Sequence, residues 1–320
     1  MDNYDQILST SLSYYRKTLQ DVILKMSAFW VTISGKGKKR EIDGGVKIVV
    51  PLMYGKNTTV KSFDGYDTVD ITPQEGIGNA KFEWKQIAGS IIITKKERRQ
   101  NSGVGRIIDL FASKVKQLEL SLTEEMNTQV FADGTGNGGK NIAGLALYVA
   151  DLPTSGVVGE IDRAAKDWWR NKYNASDLST AVWGGTTDTA LTAIGQMYRD
   201  VSKGNEHPDL LLMTSALFGK YEGTCQPMMR FTDNRLADLG FENLKYKGAV
   251  MMFDDLCPAK HLYFLNTNHF EWTVDSESNF VNTPLEHLPQ QPQVDVSYVL
   301  AMGNLVIDNC ARQGVITNIA

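Results

Sequence analysis

A single amphipathic stripe from Gly105 to Ala132 limits what this chain can fold into more than any other feature. Ile107, Ile108, Phe111, Val115, Leu118, Leu122, Met126 and Val130 recur at three- and four-residue spacing, the period of one buried helical face. At a rise of about 1.5 Å per residue, a helix over this span is roughly 42 Å long. In front of this beam lies a segment with few apolar residues to bury locally and behind it lie mixed helical and strand patterns, the order of a subunit built to reach its neighbours. The helix pattern runs directly into Asp133-Gly134-Thr135-Gly136-Asn137-Gly138-Gly139-Lys140-Asn141. There the glycines permit positive φ and end the helix.

On either side of the beam the character differs. Residues 4–30 carry Tyr4, Ile7, Leu8, Leu12, Tyr15, Leu19, Val22, Ile23, Met26 and Trp30 at helical spacing, which predicts an amphipathic arm that docks on its own body or on a neighbour. From Gly35 to Arg99 the pattern turns extended. Val46, Ile48, Val50 and Leu52 alternate, and Phe82, Trp84, Ile91 and Ile93 form a second stretch interrupted by Gly89. Between them, Lys61–Asn79 is polar and turn-rich, so the segment reads as a two-stranded projection that needs a partner surface. Two basic clusters bracket it, Lys36–Arg40 and Lys95–Arg99, either a solvated strand base or a surface for subunit contact or nucleic acid.

After the beam come a helix over 187–201, a buried strand at Leu210–Met213 and a helix from Ala216 capped by Thr214-Ser215, the order of a second, mixed α+β unit. Short strand patterns follow at 249–253, 262–265, 270–274, 294–298 and 305–307.

Composition excludes several classes. Thirty-three basic against 37 acidic residues leave a net charge of −4, without the basic surplus of a nucleic-acid binder. Three dispersed cysteines, Cys225, Cys257 and Cys310, read as reduced thiols of a cytosolic product. The acidic start Met1–Asp5 has no signal-peptide order, and no apolar run reaches the roughly 20 residues that span a bilayer. No membrane association is expected.

Candidate chemistry is sparse. Gly134-x4-Gly139-Lys140-Asn141 resembles a phosphate-binding loop, but Asn141 stands where a Ser or Thr hydroxyl would hold magnesium, and the loop follows a helix instead of a strand. The four histidines show no paired-ligand spacing, and Cys257 and His261 lack a second pair. Neither a nucleophile elbow nor a Cys/His signature is present. The chain is expected to carry no catalytic, cofactor or metal site. Trp168-Trp169 beside Arg163 and Arg170 reads as an anchored corner or an interface, since Trp and Arg concentrate in both.

The ordered set of parts resembles the tailed-bacteriophage major capsid proteins with the HK97-type fold. It comprises the N-terminal arm, the extended loop with Phe82-Glu83-Trp84-Lys85, the long spine helix, Ile142-Ala143-Gly144-Leu145, Gly159–Arg163 with Trp168–Asn171, and Gly303-Asn304-Leu305-Val306 before Gln313-Gly314-Val315. The resemblance implies an α+β capsid fold with an N-terminal arm at 1–34 and an E-loop at 35–99. It further implies a peripheral P-domain at 100–164 and 262–310, and an axial A-domain at 165–261 and 311–320.

It also implies self-assembly through hexamers and pentamers, with a scaffolding protein and a portal as partners, into a virion shell that encloses double-stranded DNA non-specifically and is built in the host cytoplasm. Inter-subunit contacts are expected at Lys38, Arg40, Phe63, Tyr66, Phe82, Trp84, Arg98, Arg99, Trp168 and Trp169. Some relatives carry a long charged N-terminal segment that is cleaved, and none is visible here. The competing readings are an encapsulin-like compartment, a nucleotide-binding enzyme centred on Lys140, and a tail-tube or sheath subunit.

Overall fold

The computed structural model describes residues 27–100, 104–174, 176–184, 188–225, 244–284, 286–287 and 293–319; for residues 98, 100, 104–112, 225, 282 and 287 it describes the backbone alone. The arm helix expected over 4–30 therefore lies outside the described residues up to residue 26.

Within the described part, Ser27 is extended and stands at the N-cap of helix α1 (Ala28–Gly35), whose Phe29 and Trp30 are fully buried. Their rings meet Phe270 and Trp272 edge-on, with centroids 5.6 and 5.0 Å apart. This part docks on its own chain. Strand β1 (Lys39–Ile42) follows, then β2 (Ile48–Met53) and β3 (Ile77–Phe82), which pair only with each other, from Ile48↔Phe82 to Met53↔Ile77.

Next come β4 (Lys85–Thr94), α2 (Lys95–Gln100) and the spine helix α3 (Val104–Val130). Val115, Leu122, Met126 and Val130 of the stripe are buried and Leu118 is half-buried against β4; the side chains of 107, 108 and 111 lie outside the described set. Beyond α3 are a short hairpin, β5 (Val157–Val158) and β6 (Ile161–Asp162), then β7 (Lys172–Tyr173) and α4 (Thr189–Val201). The Asp188 carboxylate caps α4 by accepting from the Leu191 amide at 2.7 Å.

The remaining elements are β8 (Leu210–Met213), α5 (Ser215–Cys225), β9 (Leu244–Tyr246), β10 (Ala249–Phe253), β11 (Leu262–Leu265), β12 (Phe270–Asp275), β13 (Val281–Asn282), β14 (Glu286–His287), β15 (Val294–Ile307) and β16 (Gly314–Ile316).

These strands build two main sheets. In the first, β15 pairs with β4, β12, β13 and β14, and β12 in turn holds β1. In the second the order is β7-β16-β11-β8-β10-β9. Its central strands β8 and β11 are buried along their whole length, as continuous apolar runs in a covered sheet must be. Helices α4 and α5 supply the cover, and Ile194, Met197, Leu217 and Phe218 share a core with Leu211, Met251 and Phe264.

Three expectations are revised. The stretch Phe82–Ile93 is not one strand of the projection: it breaks at Glu83-Trp84, so β3 closes the ribbon while β4 lies in the body against β15, Lys85↔Gly303 to Thr94↔Val294. Gly89 does not interrupt β4. It lets the spine helix approach, because a Cβ there would come within 2.3 Å of Leu118 Cδ1. Second, the stretches 294–298 and 305–307 are a single strand, in which Gly303 makes room for the Thr273 carbonyl, 2.7 Å from where its Cβ would stand. Third, Leu262–Leu265 is hydrogen-bonded into the second sheet between β8 and β16, so the division between sheets falls after Leu265 rather than before Leu262.

Candidate assembly surface

The ribbon β2–β3 alternates as a half-buried antiparallel pair should. Ile48, Val50 and Leu52, with Ala80 and Phe82, face inward and are buried; Val49, Met53 and Ile77 face outward and are exposed. The inward face lies on the β5–β6 hairpin. The Lys81 amide donates to the Gly159 carbonyl at 2.9 Å, and Gly159 at φ 59° sits where a Cβ would strike Ala80 and Phe82. Glu160 pairs with Lys47 and, at 3.8 Å, with Lys81. The base of the projection thus packs on its own chain.

From residue 56 to 75 the surroundings change. Val60, Phe63, Tyr66, Val69 and Ile71 are exposed. The tip's hydrogen bonds are internal ones, among them Thr58 Oγ1 to Gln74 Oε1 at 2.8 Å and Thr72 Oγ1 to Asp70 at 2.6 Å. Five large apolar side chains on one solvent-facing loop mark an interaction site more than a solvated turn.

The ten expected contact residues separate into distinct groups. Phe63 and Tyr66 are exposed on the tip, and Arg40 and Arg99 are exposed on the body. Lys38 is half-buried, and its carbonyl accepts from Trp272 N at 2.9 Å within the first sheet. Trp84 is half-buried with its indole N–H donated to the Gly45 carbonyl at 2.8 Å. Phe82 and Trp169 lie in the core of their own chain, 5% and 1% exposed, and so present nothing to a neighbour. Trp168 is half-buried and stacks on Tyr54. The Arg98 side chain is outside the described residues. The first basic cluster is partly neutralised locally, by Lys36–Asp209, Lys39–Glu41 at 3.0 Å and Arg40–Glu271 at 3.6 Å, whereas Glu97 in the second pairs with Lys114 of the spine helix at 3.2 Å. Exposed pairs of this kind stabilise little.

Glu160–Asn171 acts as a hydrogen-bonded corner. Fully buried Arg163 donates from Nη2 to the Tyr148 carbonyl at 2.6 Å; Arg170 Nε donates to the Arg163 carbonyl at 2.6 Å; Trp169 Nε1 donates to Val158 O at 3.0 Å. Asn171 accepts from Ala150 N and donates to Ala150 O, mimicking a strand partner. Tyr148 donates to the Leu305 carbonyl, and burial pushes its hydroxyl far above its ordinary range. Sequence reasoning set Arg163 beside the tryptophans at a corner but gave no hydrogen-bonding role to Arg163 or Asn171, nor to the buried Asn304, Gln129 and Gln313 elsewhere in the body. Asn304 accepts from Ala143 N at 3.1 Å and donates to Glu83 O at 2.9 Å, and Gln313 bonds both backbone groups of Asn266. Asn304, polar within the otherwise apolar run Ala301–Ile307, carried the legible signal.

The glycine-rich loop is not a phosphate cradle. It lies at the C-terminal end of α3, where the carbonyls of Gln129, Val130 and Ala132 converge on Gly144. A helix end of that polarity repels anions. Asn137, Gly138 and Gly139 take positive φ, and Lys140 is exposed. Cys257 and His261 do not converge on a common ligand: burial pushes the Cys257 thiol up to about 12, while His261 bonds Asp151 at 3.0 Å and the Ala259 carbonyl at 2.7 Å. Among the described residues no cluster of His, Cys, Asp or Glu is arranged to hold a metal, and no helix is long and apolar enough to cross a membrane.

No protein-family profile matches the chain, and no curated protein matches it in sequence. Solved structures do match. A chain of the cyanophage A-1(L) capsid asymmetric unit superposes over 88% of this chain and 90% of its own, with a TM-score of 0.61 and 18% identity. A chain of the satellite phage P4 procapsid including the size determination (Sid) protein covers 95% and 90%, at 0.55 and 14%. The holo-SrpI encapsulin complex from Synechococcus elongatus PCC 7942 covers 92% and 88%, at 0.55 and 9%. Likeness at these identities concerns the fold. The chain has the HK97-type capsid fold, in agreement with the resemblance in its sequence.

Proposed function

We propose that this chain is the major capsid protein of a tailed phage, a non-enzymatic subunit that assembles through hexamers and pentamers into an icosahedral shell around double-stranded DNA. The observation that carries the proposal is the correspondence with phage capsid chains over about nine tenths of both partners. In this reading the ribbon and its tip are the E-loop, the first sheet with α3 is the P-domain, and the second sheet is the A-domain. The exposed apolar tip residues, with Arg40 and Arg99, supply contacts between subunits. A scaffolding protein and a portal are the expected assembly partners, and the virion is the expected location, reached after assembly in the host cytoplasm. The small net negative charge suits a container that holds DNA without tight binding.

The encapsulin match supports a second reading, a protein compartment with enzyme cargo. Negative-stain microscopy of the purified protein tests the shared part of both. Closed shells, or rings of five and six, are expected; a monodisperse monomer at every concentration, also with the scaffolding protein co-expressed, refutes it. Shells recovered from infected cells then separate the two readings, nuclease-protected DNA for the phage capsid and a DNA-free enzyme cargo for the compartment.

A further inference from the structure

The ribbon changes character abruptly at one point. Up to Met53 and from Ile77 its strands are paired and their inner face is covered; between Lys56 and Glu75 nearly everything is exposed. Three glycines and one ring mark the boundary. Tyr54 N and Gly55 N both donate to the Gly76 carbonyl, at 2.9 and 3.2 Å. The two chain segments cross so closely that a Cβ on Gly55 would lie 2.6 Å from Gly76 Cα and 2.9 Å from the Glu75 carbonyl oxygen. Gly78 leaves space for the Tyr54 ring, whose Cε1 is 3.2 Å from where a Cβ would stand. On the body side the Tyr54 ring stacks on the Trp168 indole, with centroids 4.6 Å apart and planes 10° from parallel. Trp168 in turn meets buried Trp169 edge-on at 5.6 Å, and Trp169 is fixed to the hairpin through Val158 O.

We infer that the Tyr54–Trp168 stack is a clasp that sets the direction in which the tip leaves the subunit, with the Gly55/Gly76 crossing as the point about which the tip turns when the clasp opens. The inference rests on the shell-forming role proposed above, because it assigns Tyr54 and Trp168 the job of positioning the tip for its neighbour. Trp168 thereby acts on assembly from within its own subunit. The physical basis is leverage. Beyond the crossing the tip has no described bond to the body, so this ring pair, formed by Tyr54, 41% exposed, on half-buried Trp168, is the last side-chain hold on the orientation of some twenty downstream residues. A stacked aromatic pair adds modestly to the contact beyond its area, enough to hold one orientation and little enough to release it.

The test is a double-mutant cycle on the full-length protein with Tyr54→Ala, Trp168→Ala and both together, and with Tyr54→Phe as the conservative variant. Hydrogen exchange at the Tyr54 and Gly55 amides is read in unassembled subunits, and assembly rate in a separate experiment. Each alanine variant is expected to speed exchange at those two amides roughly fivefold to tenfold, while β8, β10 and β11 stay protected. The double variant is expected to go no further than the singles, and Tyr54→Phe to behave as wild type. Shells should form more slowly from all three alanine variants. Additive effects, unchanged exchange, or equal loss of protection in the second sheet overturns the clasp. Because exchange is read before assembly, a wild type that forms no shells would refute the shell-forming role and leave the clasp tested on its own terms.

Discussion

Gly144→Ala is the sharpest test of how the spine helix is seated. A Cβ at this position would stand 2.2, 2.4 and 2.5 Å from the carbonyl oxygens of Gln129, Val130 and Ala132. Ordinary C···O contacts begin near 3.3 Å, so about 1 Å of relief is required against three backbone atoms at once. The neighbouring segment is pinned and cannot drift away. Ile142 N is bonded to Gln129 Oε1 at 2.9 Å, Ala143 N to Asn304 Oδ1 at 3.1 Å, and Tyr148 Oη donates to Leu305 O.

Lifting the segment breaks two buried hydrogen bonds and strands their donors, each at about 1–3 kcal/mol; fraying the helix end exposes Val130 and Phe131 instead. Either route costs about 3 kcal/mol or more. At an unfolding entropy of about 2.1 cal/mol/K per residue, that lowers the melting midpoint of a 320-residue chain by about 4 °C or more. Thermal unfolding followed by circular dichroism, with Gly219→Ala as the control, measures it. Gly219 sits in α5 with nothing within 4 Å of its would-be Cβ, so that variant should melt at or slightly above wild type. A Gly144→Ala midpoint within 1 °C of wild type would refute the argument.

Three further outcomes are expected. Asn304→Ala leaves Ala143 N and Glu83 O without their partner and should destabilise by about 2–3 kcal/mol in urea titration; a loss below 0.5 kcal/mol would mean the site recruits water. Leu118→Asp puts a carboxylate against Gly89 and β4 and should cost about 2–4 kcal/mol, an unchanged midpoint showing that the helix does not seat there. Glu119 is 9% exposed, and burial raises its carboxyl above the ordinary glutamate range. The folded state therefore holds that proton to higher pH than the unfolded state does. Wild type should lose stability relative to Glu119→Gln as pH rises from below the ordinary carboxylate value through the raised one; parallel melting curves from pH 4 to 7.5 would count against it.

Periodicity made some of this visible in the sequence and hid the rest. The spine helix and the buried run Leu210–Met213 follow from local pattern, because each is decided within a few residues. Gly89 misled because a glycine inside a strand reads as a break, whereas here it, like Gly303, marks where another element comes too close for a side chain. The pairing of Phe82 with Ile48, and of Lys85 with Gly303, depends on partners remote in sequence and cannot be read from alternation. The same holds for Phe82 and Trp169, whose bulk fits an interface as well as a core; only the β5–β6 hairpin beneath them decides. The exposed tip residues Phe63 and Tyr66, by contrast, were legible because apolar residues in a turn-rich segment have nothing local to cover them.

The order of strands in the second sheet also constrains how the protein is made. The strand at 314–316 occupies the slot between those at 172–173 and 262–265. During synthesis the earlier strands emerge with an open seam between them, and Leu262, Phe264 and the α4 face stay uncovered until the late strand arrives. Closing this core therefore waits on a contact of long sequence separation, and the open seam is the place where a chaperone has most to protect.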